Sequence, residues 1–170
     1  MREQGFSLIE LLMGLAIVGI VLLLVSPAYA GLKESNHREE SAKSLVSGLR
    51  SARSEAIARG QVVIIHAIED DWSQGWRIIL DVSGKGHEDP DNPLLIERRS
   101  SMGVAIIGNL YVGTAVRFGP LGGPVAGGFQ AGTLHVCAAR EAQSQHQVVL
   151  ASNGRISLRS KRAAQALCPG

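Results

Sequence analysis

The stretch Gly5 to Val25, GFSLIELLMGLAIVGIVLLLV, decides how the rest of the chain is read. From Phe6 onward its only charge is Glu10, and a helix over Phe6–Val25 is about 30 Å long, the thickness of one hydrocarbon core. Met1 to Gly5, with Arg2 and Glu3, form a short polar leader ahead of it. A cleaved secretory signal peptide is one reading, with Ala28-Tyr29-Ala30 as the cleavage site. It fits poorly, because the apolar run is longer than such peptides use and the leader has no net positive side-chain charge. A plain single-pass anchor is a second reading, and it leaves Glu10 unexplained. A carboxylate inside a membrane helix costs roughly 2.5 kcal/mol or more, so Glu10 calls for a cationic partner.

Beyond Pro27 and Gly31 the chain turns charged but keeps helical spacing. Ala42, Leu45, Leu49, Ala52 and Ala56 recur at steps of three or four, while Lys43, Ser47, Arg50 and Ser54 fall on other faces. The spacing predicts a helix to about Ala58, with Arg59-Gly60 as a basic last turn and stop. Short strands are then predicted at 61–68, 76–81, 94–99, 104–107, 115–118, 133–137, 147–152 and 155–159. Turn-rich segments separate them, and Asn153-Gly154 is a strong hairpin signal. Gly119 to Gly128 reads as a mobile surface loop rather than an interdomain linker. The fold class expected is therefore α+β, a long N-terminal helix packed on a mainly antiparallel sheet. Its organisation would be a leader (1–5), an apolar helix (6–30), an amphipathic continuation (31–60) and a β-rich head (61–170).

Formal net charge is only +2, but it is unevenly spread. Between Gln61 and Val136 eight carboxylates face five basic side chains, whereas from Cys137 onward Arg140, Arg155, Arg159, Lys161 and Arg162 face Glu141 alone. Attraction to a polyanion is thus expected at the C-terminal end. The two cysteines, Cys137 and Cys168, lie in neither a CxxC nor a zinc-like pattern. They read as a disulfide if the head lies outside the cytoplasm, the alternative being two reduced thiols.

Little else suggests chemistry. Asp81 to Glu88 is rich in oxygen donors, but counted from Asp81 an EF-hand pattern would find Lys85 at its fifth position and Asn92 at its twelfth, so a solvated turn is expected and no metal. The histidines His37, His66, His87, His135 and His146 are scattered without ligand spacing. Ser54-Glu55 and Asp70-Asp71 lack any nucleophile motif, and no phosphate-cradling glycine loop is present. Neither an enzyme nor a cofactor is expected. Trp72 and Trp76 read as core or edge packing.

Gly5-Phe6-Ser7-Leu8-Ile9-Glu10 resembles the signature of the type IV pilin family: Gly, Phe, a polar residue, two aliphatics and Glu. The resemblance implies cleavage between Gly5 and Phe6 by a prepilin peptidase and N-methylation of Phe6. It further implies that Glu10 meets the new terminal ammonium of a neighbouring pilin subunit, in a filament built from chains first held in the inner membrane with periplasmic heads. The family often has a proline in this helix, and Pro27 fits as a kink point. The head is similar to the GspH/FimT-type minor pilins and pseudopilins through Leu49 to Ala56, Gly75-Trp76, Phe118 and Asn153-Gly154-Arg155. That implies a minor subunit of a type IV pilus, or else of a type II secretion pseudopilus; the Cys137/Cys168 pair leans toward the pilus. Some FimT-like subunits bind DNA through a Gly-Arg-x-Arg motif near this point. Here Gly154-Arg155-Ile156 is followed by Ser157, a departure from that motif. On a strand, Arg155 and Arg159 would share one face, with Lys161 and Arg162 continuing a patch for weak, non-specific DNA binding; the alternative is a solvated basic edge.

Overall fold

Helix α1 (Leu8–Arg59) carries two sequence regimes in one element. The computed structural model describes residues 8–101, 103–109, 111–125, 130–138 and 141–168, without the side chains of 24–28 and 30. The chain divides into two units, Met1–Asn36 and His37–Gly170. In the first unit, the large apolar side chains described between Leu8 and Leu23 are each at least 50% exposed. None of these described side chains is buried. Pro27 falls within the span of α1, with its side chain outside those described, so the expected kink has no side-chain description.

The second unit contains the core. Ala42, Leu45, Val46, Leu49, Ala52 and Ala56 are buried as one stripe of α1, as their spacing requires. Gly48 lies within that stretch because a Cβ there would come within 2.8 Å of the Trp76 ring, so the missing side chain lets strand and helix approach closely. The helix ends where Gly60 takes φ +63° and Gln61 N–H donates to Ala56 O (3.3 Å).

Among the described residues the strands are β1 (Val63–Ile68), β2 (Asp71–Leu80), β3 (Leu94–Arg99), β4 (Ile106–Gly108), β5 (Ala115–Phe118), β6 (Gly132–Cys137), β7 (Gln143–Leu150), β8 (Ile156–Arg159) and β9 (Ala163–Ala164). They form two sheets, ordered β3-β2-β1-β5 and β4-β6-β7-β8 with β9 also on β7; every pairing is antiparallel. The α+β expectation is met with two sheets. Both contribute to one core against the helix stripe: Val63, Ile65, Trp76 and Phe118 from the first, Leu134, Val136, Val148 and Leu150 from the second.

Three boundaries differ from expectation. β2 begins at Asp71, so Trp72 is a strand residue; it is 2% exposed, and its indole N–H donates to Val112 O and Gly113 O (3.1 and 2.7 Å). β7 begins at Gln143 and the short β9 pairs with that extension, where no apolar alternation marked a strand. Within the expected surface loop, Gly119 to Gly123 forms a hydrogen-bonded turn (Gly119 N–H to Gly123 O, 2.9 Å), while residues 126–129 lie outside the described residues.

The far face of β1 is roofed by the β2–β3 connection. The His87 ring lies on His66 with centroids 5.2 Å apart, and the buried Asp81 carboxylate pairs with Arg117, opposite Ile64 in the register. Asp81 therefore tethers this connection, its Oδ1 also accepting from Gly86 N–H (3.3 Å).

Candidate functional site

Gly5 and Phe6 lie outside the described residues. Glu10 stands in the first turn of α1, exposed and surrounded in sequence by exposed apolar side chains. Among the described residues no helix is long and apolar enough to cross a membrane. The described apolar side chains run only from Leu8 to Leu23, about 24 Å of helix, whereas the sequence run Phe6–Val25 reaches the thickness of a bilayer core.

Cys137 and Cys168 are joined, with their Cα atoms 5.5 Å apart. The bond ties the segment after β9 to the end of β6, and both residues are buried. Gln165 reinforces the same closure, its backbone N–H donating to Ala142 O (2.9 Å).

The C-terminal cations divide into two groups. β8 starts at Ile156, so Arg155 stands just ahead of the strand, its N–H donating to Asn153 Oδ1 (3.0 Å) and its carbonyl accepting from Ala151 N–H (2.9 Å). There it lines an open groove of about 440 Å³ with Arg50, Arg53 and Ile57 of α1. Arg159, Lys161 and Arg162 are exposed at the other end of β8, where Arg159 lies opposite Gln147. The structure thus brings Arg155 to the helix, and no described contact joins it to Arg159.

Two residues of this site, Arg50 and Arg53, were read from sequence only as the polar face of a helix or not singled out. Arg53 Nε–H donates to Gly122 O (2.8 Å), and an Arg50 terminal N–H reaches Ile156 O (3.5 Å). Gly154, at φ +78°, fits here because a Cβ would fall 2.3 Å from Gly122 O. The Asn153-Gly154 turn and the Gly119–Gly123 turn therefore meet on Arg53. Only their separation of 69 residues in sequence concealed the Arg53–Gly122 contact. Among the described residues, no ion pair engages Arg50, Arg53, Arg155, Arg159, Lys161 or Arg162.

The histidines are placed by packing. Partial burial pushes His66, His135 and His146 below the ordinary imidazole value, and for His66 the neighbouring His87 adds to the effect while the Ala67 carbonyl opposes it.

Comparison with known proteins agrees with this architecture. The family described as Type II transport protein GspH matches residues 41–154, and the prokaryotic N-terminal methylation motif matches residues 1–26. No curated protein matches the chain. Among solved structures, the type IV minor pilin FimU of Pseudomonas aeruginosa is similar in two crystal forms, both at 22% identity. One match covers 79% of this chain and 98% of the crystallised FimU chain at a TM-score of 0.63; the other covers 75% and 98% at 0.60. At that identity the likeness establishes the fold. With the family match spanning most of the head and the methylation motif at the N-terminus, the chain is a type IV pilin-like protein and belongs to the GspH family.

Proposed function

We propose that this subunit is a minor pilin that primes assembly of a type IV pilus. It is inserted in the inner membrane with a periplasmic head, cut between Gly5 and Phe6 by a prepilin peptidase and methylated at Phe6. The observation that carries the reading is the apolar surface of α1 from Leu8 to Leu23, exposed all round and interrupted only by Glu10. A helix apolar on every face needs an apolar surround, and lipid followed by the core of a filament supplies one. Glu10 then meets the terminal ammonium of a neighbour, a charge pair that fixes register where packing alone would not. The role is structural rather than enzymatic. The Cys137–Cys168 bond favours the pilus over a secretion pseudopilus.

A second reading adds DNA capture, supported by the exposed cations Arg155, Arg159, Lys161 and Arg162. Mass spectrometry of the chain extracted from membranes tests the first reading: the expected N-terminus is methylated Phe6, and an N-terminus at Gly31 would replace it with a secreted, unanchored protein.

A further inference from the structure

The groove beside Arg155 does not end there. A second open depression of about 440 Å³ is lined by Lys43, Ser47, Arg50, Ser51 and Leu158, and Arg50 borders both. Advancing along α1 from Lys43 to Ile57 retraces the chain from Leu158 of β8 back to Asn153 in the turn ahead of it, so the helix forms one wall of a furrow and the edge strand with its preceding turn the other. Its charge has one sign. Glu39, close to the Lys43 end, is engaged by Lys43 at 2.7 Å, and no carboxylate lines either depression.

We propose that this furrow seats the phosphate backbone of a nucleic acid, with Arg50 and Arg53 as its helical wall and Arg155 facing them; the proposal rests on the DNA-capture reading and places the contacts of that reading on α1. From Lys43 to Arg53 the helix advances about 15 Å, enough for about four phosphates at 3.4 Å per nucleotide. Arg53 spends its Nε–H on Gly122 O at 2.8 Å and Arg50 reaches Ile156 O at 3.5 Å, which leaves other N–H groups of both for a ligand. The hydroxyls of Ser47, Ser51 and Ser54 add neutral donors along the same walls. An extended run of cations, open along its length and interleaved with hydroxyls, suits a repeating anion better than the single carboxylates of an acidic protein segment. No aromatic side chain lines either depression, so bases have nothing to stack on. Binding is therefore indifferent to sequence, and duplex is retained as well as single strand.

The test is fluorescence anisotropy of the full chain in neutral detergent micelles, titrated against labelled oligothymidylate and a mixed-sequence duplex across a salt series. The wild type is expected to bind both with roughly micromolar affinity and a log-log salt slope of about −2 to −4. Arg50→Gln with Arg53→Gln should weaken both roughly tenfold at low salt and make the slope less negative by about 2. Arg50→Gln alone, which keeps the Arg53–Gly122 bond, should shift it by about 1. Arg98→Gln, an exposed change on β3, should do nothing. If the double variant binds DNA as the wild type does while Arg159→Gln, Lys161→Gln and Arg162→Gln together abolish binding, the furrow proposal fails and DNA capture by the C-terminal tail survives. Loss of labelled polyglutamate binding in the double variant, with DNA unchanged, would make the furrow a protein-docking groove and overturn the proposal. No retention by the wild type would end both DNA readings and leave the assembly reading standing.

Discussion

Leu15 and Leu49 belong to the same helix, yet one is 67% exposed and the other 1%. The difference lies in what surrounds them in sequence. Around Leu15 nearly every position is apolar, so no face is marked for a partner within the chain; around Leu49 the apolar residues recur every third or fourth position and mark one. The first regime leaves its burial to something outside the chain, and the second completes it with the two sheets. One helix thus carries both an exposed apolar surface and the stripe of a domain core.

A charge placed in each regime separates them most sharply. Leu49→Asp puts a carboxylate in the centre of the core and should cost about 4 kcal/mol or more, enough to unfold the head, seen as loss of a cooperative melting transition. Leu15→Asp should leave the head's melting temperature unchanged while blocking membrane insertion, read by fractionation. Equal damage to the head from both substitutions would erase the distinction.

The next effect concerns the head alone. Cys168→Ser opens a bond between residues 31 apart, and the loop-entropy estimate is about 3 to 4 kcal/mol. A fall in melting temperature of roughly 10 °C should follow, reproduced in wild type by reductant. A reductant-insensitive melting curve would mean that the tail adds nothing to stability.

The smallest expected effect is that of pH. Burial holds His66, His135 and His146 below their unfolded value of about 6.5, so the folded head prefers them neutral. The unfolded chain then binds more protons between the folded and unfolded values, and stability is lost as pH falls through about 6.5. Melting temperature should be flat above pH 7 and decline below 6.5, with a shallower decline in His66→Gln. A rise on acidification would have the wrong sign.

These contrasts follow what was legible in the sequence. The helix stripe, its stop at Gly60 and the Asn153-Gly154 hairpin are local signals, and each stands where its residues placed it. The Cys137–Cys168 pair was legible by elimination. β9 and the start of β7 were not, because Gln143 to His146 and Ala163-Ala164 have neither the alternation nor the β-branched residues that announce a strand. The arginine furrow was half legible. Arg155 was marked by charge asymmetry, but its companions Arg50 and Arg53 lie about a hundred residues earlier, and only the tertiary fold brings them to one groove. The methylation signal reads plainly as sequence, although Gly5 and Phe6 themselves lie outside the described residues.

The claim at the centre of this account is that the exposed apolar half of α1, with Glu10, serves neighbours rather than its own head. Glu10→Ala tests it most directly, with the chain followed by immunoblot in both the inner-membrane fraction and sheared filaments. The account predicts wild-type amounts in the membrane, since the change removes a charge from an apolar helix, and near-complete loss from filaments. Normal incorporation of the Glu10→Ala chain into filaments would contradict it.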